Sequence, residues 1–112
     1  MIDKWRHLLE PLVQQSLCAI PWEEVRAQDY ILFELDQSVL VANSGTMLGK
    51  KALQIWLAAG IMEEVDELLQ QAENYGRTNG YELISYCGRK GWMRTHGYQE
   101  VATVGVKNLW QI

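Results

Sequence analysis

The sequence predicts one mixed α/β (α+β) domain, with N-terminal helices and a central strand-helix-strand crossover packed on a mixed sheet. Three observations carry this expectation. An apolar stripe at helical spacing and a second short helix signalled by Pro21, Glu23 and Glu24 open the chain, and an apolar run from Ala52 to Ala58 occupies its middle. A long amphipathic stretch from Ile61 to Tyr75 follows that run and leads into another short strand. The 112 residues suffice for one modest core and not for two, so a single domain over residues 1–112 is expected. A hydrophobic fraction of 48% with 21% charged residues is that of a globular chain, and neither repeat nor linker interrupts it.

The first stripe is Trp5, Leu8, Leu9, Leu12, Val13 and Leu17, with Asp3 placed to cap the helix. Pro11 falls inside it and, lacking an N–H, is expected to kink the helix or start a second one. A second short helix is expected from Pro21 to about Gln28, where Glu23 and Glu24 complement the N-terminal dipole. Tyr30 to Leu35 and Val39 to Ala42 read as a hairpin turned at Asp36, Gln37 and Ser38.

Asn43 to Gly49 reads as a loop with two glycines, before a strand over Ala52 to Ala58 buried on both faces. The clearest helix has Ile61, Val65, Leu68, Leu69, Ala72 and Tyr75 along one face, and Gly76 or Gly80 is placed to end it. Glu82 to Tyr86 then reads as a strand, 88–95 as a short helix or turn, and Tyr98 to Leu109 as a last strand containing Gly105. Strand, helix and strand in that order predict parallel neighbours joined by a crossover. Trp56, Leu57, Val65, Leu68, Leu69, Ile84 and Trp92 are the expected core.

Composition narrows function by exclusion. No apolar run approaches the roughly 18 residues of a membrane span, and MIDKWRHLLE is charged where a signal peptide is apolar. Cys18 and Cys87 form no motif, so free thiols in the cytoplasm are expected. A net charge of −4 argues against a dedicated nucleic-acid binder. His7 and His96 lie far apart and in no ligand spacing, so no metal site is expected.

Two segments carry a family resemblance. Cys87-Gly88-Arg89-Lys90-Gly91-Trp92-Met93-Arg94-Thr95-His96-Gly97-Tyr98, taken with the element order, resembles the fourth helix and following strand start of the Gcn5-related N-acetyltransferases. Trp56-Leu57-Ala58-Ala59-Gly60-Ile61-Met62-Glu63-Glu64-Val65, followed by Gly88 to Arg94, is similar to small acetyltransferase-like proteins of short-tailed phages and prophages, some of them internal virion proteins. The resemblance implies a coenzyme A site at the loop after the central strand, over Ala59, Gly60, Ile61, Met62 and Glu63, where active enzymes carry a Gln/Arg-x-x-Gly-x-Gly/Ala signature. Its backbone amides and the helix N-terminus hold the diphosphate.

Here the loop reads Ala58-Ala59-Gly60-Ile61-Met62 and the signature is absent. Glu63, Glu64, Asp66 and Glu67 fill the first turns of the helix, where they match its dipole and would repel a diphosphate. The family's acid, a tyrosine five positions before the aromatic of the strand start, is replaced by Met93, which donates no proton. Tyr86 and Cys87 are weak substitutes: one reads as a strand aromatic, and the other is a thiol with no oriented base.

Ser44-Gly45-Thr46-Met47-Leu48-Gly49-Lys50-Lys51 is one residue short of a phosphate-binding loop, precedes a strand, and reads as a flexible turn. Arg89, Lys90, Trp92 and Arg94 combine cations with an aromatic plane, and five tryptophans in so short a chain suggest anchors for a protein partner. Two readings result. One is an acetyltransferase-like protein of phage or prophage type, in host cytoplasm or virion, that binds proteins and needs no cofactor. The other is a small divergent N-acetyltransferase using acetyl-coenzyme A.

Overall fold

The computed structural model describes residues 2–15 and 19–86. The expected elements over 88–95 and 98–109, and the core position of Trp92, lie outside the described residues. The order is a 3-10 turn (Ile2–Trp5), α1 (Arg6–Gln14), α2 (Trp22–Ala27), β1 (Ile31–Glu34), β2 (Val39–Met47), β3 (Lys50–Ala59), α3 (Met62–Thr78) and β4 (Leu83–Tyr86). Among the described residues four strands form one sheet in the order β1-β2-β3-β4. β1 and β2 are antiparallel, as are β2 and β3, while β3 and β4 are parallel and joined through α3. The predicted crossover is therefore present.

The sheet separates two apolar clusters. On one face Ile2, Trp5, Leu9, Val13, Trp22 and Val25 pack on Val39, Val41 and Leu57. On the other, Leu68, Leu69 and Ala72 of α3 pack on Leu40, Ala42, Leu53 and Ile55. Of the expected core, Leu57, Val65, Leu68 and Leu69 are buried, whereas Trp56 and Ile84 are half-buried. Ile61 drops out of the α3 face because it is the N-cap, in extended backbone before the helical period begins, and it is 42% exposed.

Several boundaries differ from expectation for physical reasons. Asp3 does not cap α1, because the chain enters through the 3-10 turn and Trp5 stands at the N-cap. Its carboxylate instead accepts a hydrogen bond from the Trp22 indole at 2.7 Å and pairs with Arg26 at 3.1 Å, fastening the N-terminus to α2. Pro11 starts no second helix; α1 continues to Gln14, and the Pro11 carbonyl accepts from the Gln15 amide at 3.2 Å. Helix α3 passes through Gly76 and ends before Gly80, whose φ of 79° suits a residue without Cβ. The Tyr81 amide then bonds back to the Gly76 carbonyl at 3.0 Å, closing the helix end.

The largest correction concerns 43–49. This is strand through Met47, because Asn43 to Met47 find ladder partners in Lys50 to Gln54. The connection is a two-residue turn at Leu48 and Gly49, with φ of 54° and 75°. Positive φ at both positions matches the right-handed twist of a hairpin.

Candidate functional site

The end of β3 is aimed by a bulge. Val41 pairs with Leu57 and Ala42 with Ile55, so Trp56 is an extra residue on β3. Before the bulge Leu53 and Ile55 face α3; after it Leu57 and Ala59 face the N-terminal helices. The inserted residue thus inverts the alternation and delivers Ala59 and Gly60 beside the β1–β2 turn.

There the chain passes very close to Ser38. Gly60 has φ of 128°, and a Cβ on it would collide with the Ser38 side chain and approach the Gln37 carbonyl to 2.6 Å. Ser38 is fully buried, and its hydroxyl is used twice. It accepts from the Ile61 amide at 2.9 Å and donates to Glu64 Oε1 at 2.6 Å. The Gln37 amide donates to the same carboxylate oxygen at 3.1 Å. The β1–β2 turn, the β3–α3 loop and the first turn of α3 are therefore one hydrogen-bonded unit.

This arrangement determines what the loop offers a ligand. Of the predicted coenzyme A residues, Ala59 is half-buried against the N-terminal helices, while Gly60, Ile61, Met62 and Glu63 are exposed. The Ile61 amide, which a diphosphate would need, is committed to Ser38. No lysine or arginine occurs from Ala27 to Gly49 or from Ala52 to Gly76, so the carboxylates of Glu63, Glu64, Asp66 and Glu67 have no basic residue nearby in sequence.

Tyr86 is not brought to this loop. It pairs in register with Ile55, four residues before Ala59, a separation of about 13 Å along the strand. Its side chain packs with the α3-side cluster, as expected of a strand aromatic. Cys87, Arg89, Lys90, Trp92, Met93, Arg94, His96 and Tyr98 lie outside the described residues, as do Cys18 and Trp110. Trp5 and Trp22 are buried, with indole N–H groups donated to Glu34 and Asp3, so they are core residues and not partner anchors. The segment resembling a phosphate-binding loop is the β2–β3 hairpin.

Sequence reasoning missed Ser38, Gln37 and the role of Glu64. Asp36-Gln37-Ser38 looks like any polar turn, and Glu64 like any dipole-matched acid. Among the described residues no group of three His, Cys, Asp or Glu side chains could hold a metal ion. Among the same residues no helix is long and apolar enough to cross a membrane.

Helices on both faces of a mixed sheet, a bulged central strand and a parallel crossover define an acetyltransferase-like fold. A solved structure described as "Putative acetyl transferase from Pyrococcus furiosus" matches with a TM-score of 0.73, covering 96% of this chain and 93% of that one, at 16% identity. At that identity the likeness establishes the fold, and the chemistry must be argued from the site. No family model matches the sequence, and no curated protein matches it.

Proposed function

We propose that this protein is a non-catalytic, protein-binding version of the acetyltransferase-like fold that does not hold acetyl-coenzyme A as active enzymes do. The supporting observation is the Ser38 unit. It commits the Ile61 amide, leaves no room for a side chain at Gly60, and anchors the Glu64 carboxylate at the loop. A diphosphate there would have to displace an existing bond and approach the like-charged carboxylates of Glu63, Glu64 and Glu67. The setting belongs to the same proposal: a phage or prophage product in host cytoplasm or virion, as the sequence resemblance implies. Arg89, Lys90, Trp92 and Arg94 are its partner-binding candidates, and the whole chain is one domain.

A second reading, a divergent N-acetyltransferase, is favoured by one feature. β3 and β4 are parallel neighbours and the β3–α3 loop lies at the carboxyl end of β3, the end at which parallel strands present ligand sites. Acetyl-coenzyme A would lie near Ala59 to Val65, and an amine would attack the thioester in the cleft beyond.

Calorimetric titration with acetyl-coenzyme A at moderate salt separates the two. Losing two charge-assisted hydrogen bonds of roughly 1.5 to 3 kcal/mol each weakens a micromolar ligand to roughly 0.1 to 10 mM, which is the expected result. Saturable binding in the low micromolar range would overturn the proposal and favour the enzyme.

A further inference from the structure

Two exposed apolar points stand at opposite ends of β3. Leu48, at the hairpin tip, is 71% exposed. It also occupies a left-handed position with φ of 54°, where leucine is disfavoured and asparagine or glycine is usual. At the other end Ile61 and Met62 are 42% and 58% exposed.

Among the described residues the charges around these points are opposite in sign. Lys50 and Lys51 follow the tip, and Arg77 lies in the last turn of α3, which ends near it. Glu82, whose amide bonds the Lys51 carbonyl, and Glu73, paired with Arg77, partly offset them. Around Ile61 and Met62 stand Glu63 and Glu67, with Asp36 in the β1–β2 turn, and lysine and arginine are absent from both stretches of sequence. Ten residues of β3 separate the ends by about 33 Å, so the basic apolar tip cannot reach the acidic apolar end of its own chain.

We infer that the two ends meet between copies: Leu48 of one chain seats against Ile61 and Met62 of another, with Lys50 facing Glu63 or Glu67. The occupant is a second copy because both halves of the pair, exposed apolar side chains beside charges of opposite sign, are on this one molecule. The contact joins unlike patches, so it closes as an antiparallel pair or propagates head to tail. It does not depend on whether coenzyme A binds.

Sedimentation velocity over a dilution series, from low micromolar to near-millimolar protein, tests this. The wild-type protein is expected to associate with rising concentration and to dissociate as salt is raised, since Lys50, Glu63 and Glu67 are exposed. Leu48→Gly should weaken association about tenfold or more, the factor expected when a leucine loses a buried contact. It relieves the left-handed strain, so its thermal midpoint should not fall, which separates lost contact from lost fold. Lys50→Glu and Glu63→Lys should each weaken association, and the two together in one chain should recover it. A protein monomeric across the series would overturn the proposal, as would association indifferent to these variants. A monomer that cosediments with anionic phosphatidylserine vesicles in a Lys50-dependent manner would assign the tip to a lipid surface and equally overturn it.

Discussion

Replacing Ser38 with alanine removes one oxygen and breaks two bonds at once. The Ile61 N–H loses its acceptor at a part-buried position, where an orphaned donor costs at most about 1 to 3 kcal/mol. Glu64 loses a 2.6 Å hydrogen bond from the hydroxyl, worth about 1.5 to 3 kcal/mol for a charged acceptor. That second contribution falls toward its lower end, because Glu64 is half-buried, keeps the Gln37 amide, and can recruit water. The expected loss is about 2 to 4 kcal/mol, read from urea denaturation as a lower midpoint with an unchanged slope. A double-mutant cycle with Glu64→Gln should return a coupling of about 0.5 to 3 kcal/mol, because the two side chains touch. If Ser38→Ala lowers stability by less than about 0.5 kcal/mol, an ordinary surface effect, the unit does not hold the loop as described.

Two further substitutions probe the core and the hairpin. Leu68→Ala and Leu69→Ala each empty a fully buried site between α3 and the sheet and should cost about 2 to 5 kcal/mol; denaturation midpoints unchanged in both would mean that the wrong α3 face has been assigned to the core. Leu48→Asn supplies a side chain that tolerates the left-handed region and should raise stability by about 0.5 to 1 kcal/mol, measured at protein concentrations low enough to avoid association.

What the sequence disclosed depended on the range of the signal. Helix α3 was legible because Val65, Leu68, Leu69 and Ala72 repeat at helical spacing and meet one partner surface. The crossover was legible because a strand, a helix and a strand of those lengths have few ways to pack. The β2–β3 turn was hidden because Leu48 stands where a hairpin turn normally shows asparagine, and Asn43 to Thr46 look like loop residues until Lys51 to Gln54 pair with them. The bulge at Trp56 was hidden for a different reason. An apolar run reads the same in either phase, so inverting the alternation leaves no trace in composition.

The candidate site was half legible. That a loop joins β3 to α3 at Gly60 and Ile61 was legible, and its lack of the glycine signature and its crowded carboxylates were visible as letters. Its partner was not. Ser38 and Glu64 are 26 residues apart and become neighbours only when the bulge carries Gly60 onto the β1–β2 turn.

The central claim is that the Ile61 amide belongs to Ser38 and is unavailable to a coenzyme, and amide-resolved NMR tests it most directly. With increasing acetyl-coenzyme A, the Gly60, Ile61 and Glu63 amide resonances are expected to stay in place through the micromolar range, and the Ile61 amide to exchange more slowly with solvent than its unbonded neighbours, as a hydrogen-bonded donor does. Saturating shifts of those same amides at low micromolar ligand, together with fast Ile61 exchange in the free protein, would contradict the account.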